Sequence, residues 1–166
     1  MWRRLLATPD DSAMLVLRLA LAVMILPHGL QKMFGWFGGY GFSGTLEFFS
    51  QSFPVVLGVL AILAEFVGGI FLILGLLTRV AALGVGTNMV VAMFTVHWQN
   101  GFFMNWSGQQ QGEGIEFFIL AIGIALALII RGGGLWSIDR GIVEWRRKER
   151  AIDATMKATD HVHIRR

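Results

Sequence analysis

The chain contains no cysteine among its 166 residues. Disulfides, cysteine-ligated zinc, iron–sulfur clusters and thiol catalysis by its own side chains are therefore excluded. It is also poor in charge. Asp, Glu, Lys and Arg together make up 15% of it, against about 25% in a soluble domain. With 55% hydrophobic residues and a mean hydropathy of +0.62, too little polar sequence remains to coat a soluble surface. The same balance excludes a disordered chain. The length suits one compact domain.

In place of charge the chain has long apolar runs. A helix needs roughly 20 mostly apolar residues to cross a bilayer core, with about 17 as the short limit. Four stretches qualify, at about 12–34, 54–77, 78–98 and 114–131. The fold expected is all-α: an integral membrane four-helix bundle over 1–142, followed by a basic tail at 143–166. Lys and Arg set the orientation. Arg3 and Arg4, then Arg79 between the second and third runs, then nine residues from Arg131 onward make twelve of the 14 basic residues. All twelve fall on one side if the runs cross alternately. Both termini are then cytoplasmic, and the 35–53 and 99–113 loops face outward. Asp10 and Asp11 precede the first run and no small-x-small cleavage site follows it. It therefore reads as a retained helix rather than a signal peptide.

The first outer loop is rich in glycine and aromatic residues, which suits headgroup depth, and 45–52 is expected to form a short interfacial helix. Its Gly39-Tyr40-Gly41-Phe42-Ser43-Gly44 run matches G-x-G-x-x-G. That fingerprint works only between a strand and a helix, so no nucleotide site is assigned, and no nucleic-acid partner is expected. The tail from 139 to 166 reads as a basic amphipathic helix lying on the membrane, with Ile142, Trp145 and Ile152 on its apolar side. A docking site for a soluble partner is the alternative. His161 and His163 read as tail rather than metal ligands.

Ionisable side chains inside a membrane cost at least about 2.5–3.5 kcal/mol each, and usually face the bundle interior and pair. Here they sort by position into two layers. The inner layer is Arg18, Glu65 and Arg79. Glu65 lies eleven residues into the second run, near the expected midplane, with Ala61, Gly68 and Gly69 on its own face. Those small residues let another helix approach, and Arg18 is the partner expected. The set reads either as a structural ion pair or as a proton path, and Arg79 as part of it or as a topology anchor. The outer layer is His28, Lys32, His97 and Glu116. Arg18, Ile25 and Lys32 share one stripe of the first helix, with His28 at its flank beside Pro27. Two imidazoles, a lysine and a carboxylate at an apolar–aqueous boundary could bind the carbonyls of a quinone and carry its protons, or bind an anionic substrate, or form a polar belt without a ligand. The donor set is sparse for a metal, and none is assigned.

The order and spacing of several motifs resemble those of the DoxX family of small bacterial inner-membrane proteins. They are Arg18…Pro27-His28-Gly29-Leu30-Gln31-Lys32…Phe34-Gly35, then Glu65…Gly69…Leu74-Gly75-Leu76-Leu77-Thr78-Arg79, His97…Gly101-Phe102-Phe103, Gly114-Ile115-Glu116 and Leu135-Trp136-Ser137-Ile138-Asp139-Arg140. The resemblance runs over about 12–142 and leaves the tail outside. It implies a place beside membrane redox chemistry, since relatives include the membrane subunit of a thiosulfate:quinone oxidoreductase. The leading expectation is thus a redox-associated subunit. It would offer a quinone-binding or proton-handling site formed by His28, Lys32, His97, Glu116 and Glu65, with His28 and His97 on the ligand. Electrons would come from a partner oxidoreductase subunit. A small proton-coupled transporter, dimerising through Ala64-x-x-x-Gly68 or Ala82-x-x-x-Gly86, and a scaffold recruiting soluble enzymes are the alternatives.

Overall fold

A computed structural model describes residues 5–163, with side chains described for 5–157. Arg3, Arg4, Arg165 and Arg166, and the side chains of His161 and His163, lie outside the described residues. Among those described there are helices and no strands. Helix α1 is Ser12–Phe34, and a 3-10 turn, Trp36–Gly38, leads to α2, Gly41–Ser50. Helix α3 runs Val55–Leu74 and α4 runs Thr78–Asn100. Helix α5 is Glu116–Arg131 and α6 is Ile138–His163. Helices α1, α3 and α4 are long and apolar enough to cross a membrane. Helix α5 has 16 residues, about 24 Å of length at ~1.5 Å per residue, short of the ~30 Å hydrocarbon core.

Local chemistry fixes the ends. Asp11 caps α1, its Oδ1 accepting from the Ala13 N–H at 2.9 Å. Gly35 closes α1 in the left-handed region (φ 75°), where a side chain would be strained. The core lies between α1, α3, α4 and α5 and includes Leu21, Ile25, Leu72, Ala82, Val85, Ala125 and Leu128. Small residues let the helices close in. A Cβ at Gly86 would meet Ala125 on α5 at 3.1 Å, and one at Gly68 would meet Val85 on α4 at 3.3 Å. Ala82 and Gly86 are both buried inside the chain.

Helices α1 and α3 pass antiparallel with Gly29 against Phe66 and Gly69 against Leu26. This register differs from the one expected if both helices ended at a common boundary. The start of α3 projects beyond the end of α1 by about six residues, roughly 9 Å. The projecting turns are covered by α2, where Leu46 and Phe49 press on Gly58. Helix α2 begins four residues earlier than the 45–52 segment expected for it, and Thr45 buries its hydroxyl on the Lys32 carbonyl at 3.2 Å.

At the other end of the bundle three charged side chains close the loops. Arg18, 1% exposed, donates to the carbonyls of Leu72 and Ile73 at 3.0 and 2.9 Å and of Leu135 and Trp136 at 3.3 and 3.4 Å. Asp139 accepts from the Leu77 and Thr78 N–H groups at 2.7 and 2.8 Å, so the first turn of α6 caps the start of α4. Arg79 donates to the carbonyls of Ile129, Ile130 and Ala7. The expected Arg18–Glu65 pairing is therefore corrected. Arg18 and Arg79 bond the carbonyls left over at the C-terminal ends of α3 and α5, far from Glu65.

Candidate functional site

Glu65 faces the outer set because of the register. Its residue level on α3 matches Leu30 of α1, within reach of a lysine two residues on. Lys32 Nζ lies 2.5 Å from Glu65 Oε2, and Asn88 Nδ2 on α4 donates to Glu65 Oε1 at 2.8 Å. The carboxylate is 4% exposed as a residue, and each oxygen has a donor. Burial of that kind is tolerated only with such partners.

Each of the three helices around Glu65 carries one irregularity. Leu63–Val67, which carries Glu65, is a π-helical turn, and Met93–His97, which carries His97, is another. Pro27 precedes His28 within α1 and has no N–H for the Val23 carbonyl. Single π turns inside α-helices are uncommon and frequent at functional sites. Two of these irregular turns carry Glu65 and His97 themselves.

Glu65 and His97 share a cavity of about 430 Å³. Lys32, Glu65, His28 and His97 contribute its polar side, and Met24, Met89, Phe117 and Phe118 its apolar walls. His28 is exposed at the rim, while His97 is half-buried with its ring centroid 4.3 Å from that of Phe118. His97 Nδ1 lies 2.9 Å from the Glu113 carbonyl oxygen. A carbonyl only accepts, so Nδ1 carries the hydrogen, and neutral His97 keeps its lone pair on Nε2.

Glu113 also lines the cavity, and sequence reasoning missed it. It sits in the polar 99–113 loop, where a carboxylate carries no membrane cost to signal it. Its Oε2 accepts from the Asn105 N–H at 2.7 Å, and its carbonyl holds Asn100 as well as His97. Asn88 was missed too, because an uncharged amide in an apolar run raises no alarm. Glu116 is not among the cavity-lining residues. Its Oε1 accepts from the Met104 N–H at 2.9 Å and from Trp106 Nε1 at 3.2 Å, which folds the 99–113 loop back over the entry to α5.

On the far side of the Glu65–Asn88 bond an apolar groove of about 440 Å³ runs between α3 and α4. Phe49, Leu57, Leu60, Leu83 and Val91 line it, and Asn88 supplies a polar spot. Ala92 borders both spaces.

The DoxX family model matches residues 13–98, about half of the chain. The chain belongs to the DoxX family. The matched part contains Arg18, His28, Lys32, Glu65, Asn88 and His97, so the ion pair and both imidazoles of this DoxX protein lie within it. Glu113 and Glu116 lie beyond. Inner membrane protein YqjF of Escherichia coli (strain K12) is 28% identical over 135 residues, covering 79% of this chain and 92% of that protein. No solved structure matches this DoxX chain.

Proposed function

We propose that this DoxX membrane protein is a redox-associated subunit of the bacterial inner membrane that binds a quinone headgroup in the cavity between His28 and His97. Helix α5 is the fourth crossing, Arg131 reaching the headgroups by its long stem, and both termini are cytoplasmic. The crossing domain is 1–142 and the tail 143–166. The observation that carries the reading is the convergence of the Lys32–Glu65 ion pair and both imidazoles on one apolar-walled space.

The residues present fit such a group. Apolar and aromatic walls suit a substituted ring, and its two oxygens need polar partners. Lys32 and His28 can donate to a carbonyl oxygen. His97, with Nδ1 held by the Glu113 carbonyl, offers Nε2 to a hydroxyl and can take its proton. Glu65, already bonded to Lys32 and Asn88, holds the lysine side chain in position. A quinone bound there supplies two-electron, two-proton carriage between a donor and the membrane pool. The chain has no cysteine and so no thiol redox centre of its own; in this reading the electrons come from a partner subunit. The groove behind Asn88 faces the acyl chains and suits a lipid-soluble molecule.

The test is binding of a short-chain ubiquinone analogue to the protein in nanodiscs. The double variant His28→Ala/His97→Ala is expected to weaken binding roughly tenfold or more, the value of one or two lost hydrogen bonds. Unchanged affinity with an intact fold would overturn the reading.

A further inference from the structure

Helix α6 is 26 residues long, and past its first turn no other helix among the described residues packs along it. Its first turn is fixed by Asp139 on the start of α4 and by Arg140 on Asp10. The helix therefore leaves the bundle at the end where Arg18, Arg79 and Arg131 close the apolar helices.

At 100° per residue, Ile138, Ile142, Trp145, Ile152 and Met156 fall on one stripe about a quarter of the circumference wide. Ile138, Trp145, Ile152 and Met156 are 42–61% exposed. Arg150 and Lys157 flank this stripe on one side, with Asp153 closer to its edge, and Lys148 flanks the other, while Arg147 faces directly away from it. An apolar stripe edged by cations is the pattern of a helix lying in the interface plane, with ring and aliphatic groups below and ammonium and guanidinium groups at phosphate level. Glu149 sits within the stripe. A carboxylate there limits immersion to headgroup depth.

We propose that α6 docks on the anionic phospholipid surface of the membrane that the bundle spans, holding the apolar stripe in the headgroup region and using Lys148, Arg150 and Lys157 to select anionic lipid. The proposal is independent of what the cavity binds. Residues 145–157 carry five cations, Arg146, Arg147, Lys148, Arg150 and Lys157, against two acids, Glu149 and Asp153, and this excess favours anionic lipid over a second copy of the same helix.

The absence of native cysteine makes a clean experiment available. Full-length protein carrying Ile152→Cys or Arg147→Cys is labelled with a nitroxide and reconstituted in vesicles with or without phosphatidylglycerol in phosphatidylcholine. In anionic vesicles the label at 152 is expected to collide with oxygen and be shielded from a water-soluble nickel chelate, and the label at 147 to show the reverse. Neutralising Lys148, Arg150 and Lys157 to Gln is expected to lower the ratio of docked to free helix roughly fivefold per cation. Equal water access at 152 and 147 in anionic vesicles would overturn the proposal. So would spin–spin coupling between two copies at 152, which would make the stripe a dimer contact. Equal docking in neutral vesicles would overturn the choice of anionic lipid.

Discussion

Lys32 and Glu65, 33 residues apart in sequence, meet at 2.5 Å with the carboxylate buried between two helices. The pair joins α1 to α3 at the π turn of α3, and Asn88 extends it to α4. One carboxylate thus ties three apolar helices together at the floor of the candidate site.

Removing one member of such a pair leaves a buried charge without a partner, at a cost of about 3–5 kcal/mol. Lys32→Met is therefore expected to lower unfolding stability in detergent by that order. The double variant Lys32→Met/Glu65→Gln should recover much of the loss, because no charge is then stranded. A coupling energy near zero in the double-mutant cycle would mean that the two side chains do not interact.

The contact at Gly29 sets the register that brings the pair together. A Cβ there would lie 2.5 Å from the backbone N and Cα of Phe66, and backbone cannot swing aside. Gly29→Ala should cost about 1–3 kcal/mol by overpacking and weaken ligand binding as Lys32 is pushed away from Glu65. Gly123, on α5, has nothing within 4 Å of its would-be Cβ. Gly123→Ala should be neutral or stabilise the helix by up to about 1 kcal/mol. Equal melting shifts for the two variants would refute the close approach.

The apolar helices were legible because membrane crossing demands long uninterrupted runs, and His28, Lys32 and His97 were legible because ionisable groups there are costly. The assignment of Glu65 to the Arg18 layer failed for a definite reason. Counting residues from a shared boundary assumes that α1 and α3 start level, and α2 fills the space into which α3 projects. No local pattern announces that offset. The π turns at Glu65 and His97 were equally silent, because Leu63–Val67 and Met93–His97 contain neither proline nor glycine. Arg18 and Arg79 were legible as special, but their partners are main-chain carbonyls, which carry no sequence signature.

Asp139 stands in for a cap that α4 lacks in its own sequence. It bonds two N–H groups at the start of that helix from 61 and 62 residues away. Asp139→Ala should cost about 1–2 kcal/mol, the scale of a lost N-cap. Asp139→Asn should cost less, since one acceptor remains. Hydrogen exchange at Leu77 and Thr78 checks this directly: protection of those two amides should fall in Asp139→Ala before that of the α4 interior.

The anchor at the base of α6 should respond to acid. Arg140 grips Asp10 through two contacts at 2.5 and 3.0 Å and also holds Glu144 at 2.6 Å. The hydrogen bond from Arg140 leads the lowering of the Asp10 carboxyl below its ordinary value of 3.8. A carboxyl depressed on folding contributes stability that is complete above its unfolded value and disappears as pH falls through the folded one. The link between the N-terminal segment and α6 should therefore be constant from neutral pH down to about pH 4 and loosen only below that. Asp10 is solvent-exposed, so the readout is local. A distance measured between labels at Thr8 and Gly141 should lengthen in acid in the native sequence. In Arg140→Gln it should already be long at neutral pH and show no transition. A native transition centred above the ordinary carboxylate range would assign the acid response to another group.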